Sequence, residues 1–169
     1  YLNGEYWGIQ NIREKVNEHF LSSHHDINPE NIDLLDIQGT NPENIVHGTN
    51  VDYLNLLDYL NNNDIRDPVI QSGIEGWIDI NSFMQYQAFQ IFIDNRDWPG
   101  NNIKFWRDHR TTGKWRWILY DTDFGFGIWD PGAYTFNTLS FALTPNGPDW
   151  PNPPWSTLML RTLMENDHF

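Results

Sequence analysis

The stretch from Asp94 to Gly127, DNRDWPGNNIKFWRDHRTTGKWRWILYDTDFGFG, decides how the chain is read. It divides into an acidic loop, a β-hairpin and a second acidic loop that ends in glycines. Ile103-Lys104-Phe105-Trp106 begins the outgoing strand, and Asp108 to Gly113 is polar and carries the glycine of a hairpin connection. Lys114 to Tyr120 returns, rich in the aromatic and branched side chains that suit a pleated, half-buried surface. Adjacent strands lie about 4.8 Å apart, so a short hairpin returns the chain to where it started. Asp97 and Asn102 before it, and Asp121 and Asp123 after it, are therefore expected to converge. Oxygen donors gathered in this way suit Mg²⁺ or another hard cation.

Upstream, residues 82–93 form a heavily apolar segment (Phe83, Met84, Tyr86, Ala88, Phe89, Ile91, Phe92, Ile93). A helix apolar nearly all round is expected to be buried, giving a rigid base for the loop that follows. Asp79 to Ser82 looks like its start. Before it, a helix capped by Asn50 or Asp52 runs to Leu60, and a loop continues through Pro68 and Gly76. Residues 22–50, rich in Asn, His, Pro and Gly, read as irregular with one short strand over residues 32–37. His24 and His25 read as exposed loop residues, because no third ligand is spaced to make a metal site. Asn17 can cap a helix over residues 18–23. Asn3-Gly4 between apolar residues is a strong hairpin signal. Its first strand is nearly absent from Tyr1-Leu2, so the chain reads as an excised piece. Arg13 to Val16 ends the second strand, with Glu14 and Lys15 open to a plain solvated reading.

Downstream, regular pattern is lost after Gly127. Five prolines between Thr144 and Pro154 mark a long loop, a lid candidate. A helical pattern resumes over residues 156–165.

The chain has 169 residues, 39% of them hydrophobic, with nine Trp and ten Phe: enough for one domain with a real core. A net charge of −13 argues against nucleic acid or an anionic membrane surface as partner. An acidic protein that binds a phosphate-bearing ligand must bring it in with a metal or local cations. There is no Cys, hence no disulfide and no thiol catalysis, and no apolar run approaches the roughly 20 residues of a membrane span.

Two motifs stand in the key stretch. Arg96-Asp97-x-x-x-x-Asn102 matches the R-D-x-x-x-x-N catalytic loop of protein kinases, and Asp123-Phe124-Gly125 is D-F-G. In kinases the loop Asp accepts the substrate hydroxyl proton, while the Asn and the D-F-G Asp hold Mg²⁺ on the phosphates. The wider pattern resembles the spore coat protein H (CotH) kinase-like family. The resemblance rests on Asn3 to Ile9, Glu14-Lys15, Asp97 to Arg107 and Trp115 to Gly127, and is weakest over residues 22–76.

That resemblance implies an α+β, protein kinase-like fold: mostly a large lobe with a small-lobe hairpin remnant, residues 1–169 forming one partial domain. It implies phosphoryl transfer from ATP, with Mg²⁺ or Mn²⁺, to Ser/Thr of a secreted or surface protein, outside the cell or on a spore surface. Asp97 would be the catalytic carboxylate. Asn102, with Asp121, Asp123 or both, would hold the metal. Residues 12–16 would be the linker between lobes, placing Glu14 and Val16 at the nucleotide. The phosphate-binding Lys and Gly-rich loop of a kinase would lie before Tyr1, which leaves this piece alone expected to be inactive.

Other readings are open. Asp97 and Asn102 can form a capped turn, and Asp121 and Asp123 a structural Ca²⁺ site. Asp94 is either a helix end or a participant. Arg96 either steadies the acidic cluster or is a surface residue. Trp98, Trp106, Trp115 and Trp117 are expected to pack in the core; exposed, they would make a sugar platform, with Asp97 and Asp121 or Asp123 as a glycosidase pair. A non-catalytic adhesin on the same scaffold is the third class.

Overall fold

The computed structural model describes residues 3–6, 8, 13–39, 41–111, 113–128, 130–145 and 151–169, with the side chains of 41–43 excepted. Asn3 and Gly4 both have positive φ, 50° and 85°, as a two-residue hairpin turn requires. Most of the strand expected after them lies outside the described residues.

Helix α1, Glu18–His25, starts where Asn17 Oδ1 accepts from the Phe20 N–H at 3.0 Å. Asn17→Ala is expected to cost about 1 kcal/mol, read as a lower unfolding midpoint in urea. His24 and His25 lie in the last turn of this helix rather than in a loop. Both are exposed as expected, yet His24 pairs with Glu14 (3.0 Å) and His25 packs on Trp106 at 4.7 Å between ring centres.

Strand β1, Ile32–Gln38, is answered by β2, Asn41–His47, in the stretch expected to be irregular. Two register shifts interrupt that pairing, and β2 is an edge strand, where Pro42 is tolerated. Helix α2, Val51–Asn62, follows as expected. Helix α3, Pro68–Trp77, replaces the expected loop. There Asp67 caps the Val69 N–H at 2.8 Å and Pro68 occupies the first turn, where its missing N–H costs nothing.

Helix α4, Ile80–Phe92, is capped by Asp79, whose Oδ1 accepts from the Ser82 N–H. It is not buried all round: Phe83 and Tyr86 are buried, but Phe92 is 80% exposed, and two glutamines, Gln87 and Gln90, are buried instead.

The hairpin is present. Strand β3, Ile103–Asp108, pairs with β4, Arg116–Ile118, in the register Lys104 with Ile118, Phe105 with Trp117 and Trp106 with Arg116. The paired return strand is shorter than the expected 114–120. Trp115 instead bridges to Ile78, exchanging backbone bonds with Trp77 and Asp79 (2.8 and 2.9 Å). The sheet order is β2-β1-β3-β4, all antiparallel. One face, with Leu35, Ile37, Ile103 and Phe105, packs on α2, α3 and α4 in the main core; the other, with Ile32, Leu34 and Trp106, packs on α1. Trp98, Trp106 and Trp115 are buried and Trp117 is half-buried against Phe83, so none of the four offers a sugar platform.

After the second acidic loop come a 3-10 turn, Ala133–Thr135, and helices α5, Thr138–Ala142, and α6, Leu158–Leu163. The described end of the proline segment is no lid. Asn152 is fully buried and donates to the Phe141 carbonyl (2.7 Å), and Pro151 and Pro153 press on Gly100.

Candidate active site

Helix α4 hands the chain to the first acidic loop through a buried polar relay. The Gln90 amide donates to Tyr86 Oη (2.9 Å), Asn95 Nδ2 donates to Gln90 Oε1 (2.8 Å), and the Asp97 N–H donates to Asn95 Oδ1 (3.1 Å). Each polar group buried with a partner avoids a desolvation penalty, so the relay fixes the loop against the helix rather than merely tolerating it. Asp97 is 9% exposed, and its Oδ2 accepts from Asn101 Nδ2 (3.0 Å) and Asn102 Nδ2 (2.6 Å). Asn101 also accepts from the Gly39 N–H (3.1 Å), tying the loop to the turn between β1 and β2.

The two acidic loops are joined by backbone. The Arg96 N–H donates to the Phe124 carbonyl (3.2 Å), and the Phe126 N–H donates to the Ile93 carbonyl (2.6 Å). Gly125 packs closely on Ile93: a Cβ there would stand 2.9 Å from Ile93 Cδ1 and 3.2 Å from the Thr122 carbonyl oxygen. The β3–β4 pairing ends at Lys104 and Ile118, so Asn102 before the hairpin and Asp121 after it leave the same end of the ribbon. Asp94, Asn102, Asp121 and Phe126 all have φ between 50° and 55°. Asn and Asp adopt this conformation readily, but for Phe126 it carries strain of the kind that gathers at functional loops.

The electrostatics follow from the same convergence. Burial pushes the Asp97 carboxyl above the usual carboxylate range; the Asn101 hydrogen bond opposes this, while the charges of Asp121 and then Asp123 add to it. The Tyr120 hydroxyl is likewise pushed up, first by burial and then by Asp36, Asp121 and Asp97. Asp121 and Asp123 are exposed, and neither carboxylate makes a hydrogen bond or ion pair among the described residues. No three His, Cys, Asp or Glu side chains among those residues form a ready metal cage. The donor set suits a different kind of site, in which a hard cation takes one or two carboxylates and completes its shell with water or phosphate oxygens. Buried like-charge crowding at Asp97, with two uncommitted carboxylates near it, is what such a cation would relieve.

The other expected residues fall as follows. Asp94 is committed to structure: it accepts from Arg96 Nε and from Thr138 Oγ1, both at 2.8 Å. Arg96 also reaches Asp130 (3.5 Å) and lies 3.8 Å over the Phe136 ring, so it clamps the segment after D-F-G rather than standing free. Glu14 is exposed and held by His24, and Val16 is half-buried just before the Asn17 cap. Ile12, the first residue of the expected linker, lies outside the described residues.

Gln90, Asn95, Asn101, Asp36 and Lys104 were not singled out from the sequence. Glutamine within a nearly apolar helix was the available signal for Gln90. Asp36 and Lys104 face each other only because β1 pairs with β3, which no local pattern announces.

The fold and site thus define an α+β protein in which a hairpin brings two acidic loops to one place. The chain matches the family model described as CotH kinase protein over residues 1–169, its whole length, and belongs to the CotH kinase family. No curated protein and no solved structure matches it.

Proposed function

We propose that this protein has a kinase-like fold and transfers the γ-phosphoryl group of ATP to Ser/Thr of a protein substrate, using Mg²⁺ or Mn²⁺. The observation that carries the reading is the buried Asp97, held by the Asn101 and Asn102 amides in a loop bonded through Arg96 to Phe124 of the second acidic loop; burial raises its pKa first, and the charges of Asp121 and Asp123 add to that. Asp97 accepts the proton of the acceptor hydroxyl, and its raised pKa makes it a better base than a surface carboxylate. Asn102, Asp121 and Asp123 are the residues that would hold the metal, which supplies charge neutralisation on the phosphates when bound. Of the two aspartates, Asp121 is the principal ligand: it is the nearer in sequence to the end of the β3–β4 pairing, and its charge acts on Asp97 more strongly than that of Asp123. The segment carrying Glu14 and Val16 is assigned to the nucleotide by family likeness. The family's spore-coat association supports a surface location, and a net charge of −13 supports a protein rather than a nucleic-acid partner.

The test is Mn²⁺ binding followed by electron paramagnetic resonance, alongside transfer of labelled phosphate from ATP to protein. Asp121→Asn is expected to weaken Mn²⁺ binding about tenfold or more, on the scale of lost metal-site contacts, and Asp123→Asn by less. Mn²⁺ affinity unchanged in both variants would refute the assignment, and binding to a surface protein that survives Asp97→Ala and Asp121→Ala would mark an adhesin instead.

A further inference from the structure

Lys104 stands in β3 two residues after Asn102, with its side chain 13% exposed. Its Nζ lies 3.4 Å from Asp36 Oδ2 across the β1–β3 pairing, and the Asp36 side chain is only 5% exposed. Asp36 Oδ1 accepts in turn from Asn44 Nδ2 of β2 (2.7 Å). The same ammonium lies 4.7 Å over the ring of Tyr120, the residue that precedes Asp121. One cation therefore links β1, β3 and the exit of the hairpin, and through Asp36 it reaches β2.

A buried ion pair is a poor device for stability. Desolvating both charges costs several kcal/mol, and an apolar pair of similar volume is often as stable or more so. What such a pair supplies is a defined position. Here the object positioned is Tyr120, because the face of an aromatic ring attracts a cation in a directional way. Tyr120 has left the β3–β4 pairing, which ends at Ile118, so no ladder bond to β3 holds it. Asp121, one residue on, has φ 51° and no partner of its own among the described residues.

We infer that Lys104, paired with Asp36 and seated on Tyr120, is a positioning residue that sets where Asp121 stands relative to Asn102. This rests on the metal-site reading above and names a residue that acts on the site without touching the metal.

The test uses Mn²⁺ alone. Lys104→Met by itself would leave Asp36 buried and unpaired, so the variant of choice is Asp36→Asn/Lys104→Met. It removes one charge of each sign, leaves the net charge unchanged, and keeps an acceptor for Asn44. Through-space electrostatics alone predicts little change in Mn²⁺ affinity. Positioning predicts a loss of about fivefold with an unchanged melting temperature. Tyr120→Leu should show a similar loss, and the combined variant should lose no more than either, since both break one linkage. Lys104→Arg, which keeps the cation and its ring contact, should bind Mn²⁺ like the wild type. Wild-type affinity in Asp36→Asn/Lys104→Met, or losses that simply add with Tyr120→Leu, would overturn the inference while leaving the metal site standing. A wild-type protein that binds no Mn²⁺, or an Asp121→Asn variant that binds it equally well, would instead remove the reading beneath it.

Discussion

Asp97→Asn is expected to lower phosphoryl transfer by about 10²–10⁴-fold, the span of a positioned general base, while leaving the protein at least as stable as the wild type. The two halves have one cause. Asp97 is buried beside two further carboxylates, so ionising it costs more in the folded chain than in the unfolded one. Asparagine avoids that cost and still offers an oxygen to the Asn101 and Asn102 amides that now bond Oδ2. The sign with pH follows. A carboxyl whose pKa is raised on folding destabilises at pH values above its folded pKa. That penalty shrinks as pH falls through the folded value and vanishes below the ordinary carboxylate range. The gain in melting temperature of Asp97→Asn over wild type should therefore be present at neutral pH and lost in acid. Melting curves from neutral to acid pH, with transfer assays at neutral pH, check both halves. Destabilisation of the Asp97→Asn protein at neutral pH would mean that the carboxylate serves as structural glue, and unimpaired transfer would remove Asp97 from the chemistry.

Much of this site was legible because it depends on local rules. The hairpin is written in branched and aromatic residues around a polar, glycine-containing turn, and closing it returns the chain to the end of the ribbon from which residue 102 set out. The helix caps at Asn17 and Asp79 were legible for the same reason. What escaped was decided by partners distant in sequence. Pro68 and Gly76 make α3 look like a loop. Yet Pro68 sits in the first turn, and Gly73 lets the Tyr59 hydroxyl of α2 pack close, where a Cβ would stand 2.5 Å from Oη. Strand β2 escaped because Asn41, Pro42 and Glu43 are poor strand formers that an edge position accepts. Helix α4 was read as buried all round from its apolar count. The structure buries its glutamines and exposes Phe92, and buried Gln90 bonds Tyr86 and Asn95 in the relay that reaches the loop carrying Asp97.

The proline segment gives the second large expected effect. Pro151 and Pro153 pack against Gly100, between Pro99 and Asn101 in the loop that carries Asp97. A Cβ on Gly100 would overlap the Pro151 carbonyl oxygen and stand 2.9 Å from Pro153 Cδ. The opposing wall has little room to give: Asn152 is fully buried, donates to the Phe141 carbonyl at 2.7 Å and accepts from Ser156 Oγ at 3.0 Å. The loop must therefore yield, carrying Asn101 and Asn102 away from Asp97. Gly100→Ala is expected to lower transfer about 10²-fold, the scale of a displacement near 1 Å in a positioned group, and to weaken Mn²⁺ binding through Asn102. Gly76→Ala is the control: it lies in α3 with open space around it, and alanine there should stabilise the helix by about 1 kcal/mol with transfer unchanged. A Gly100→Ala protein that transfers phosphate within about threefold of wild type would show that the proline segment gives way instead. The loop's position would then have to come from the Gln90–Asn95 relay alone.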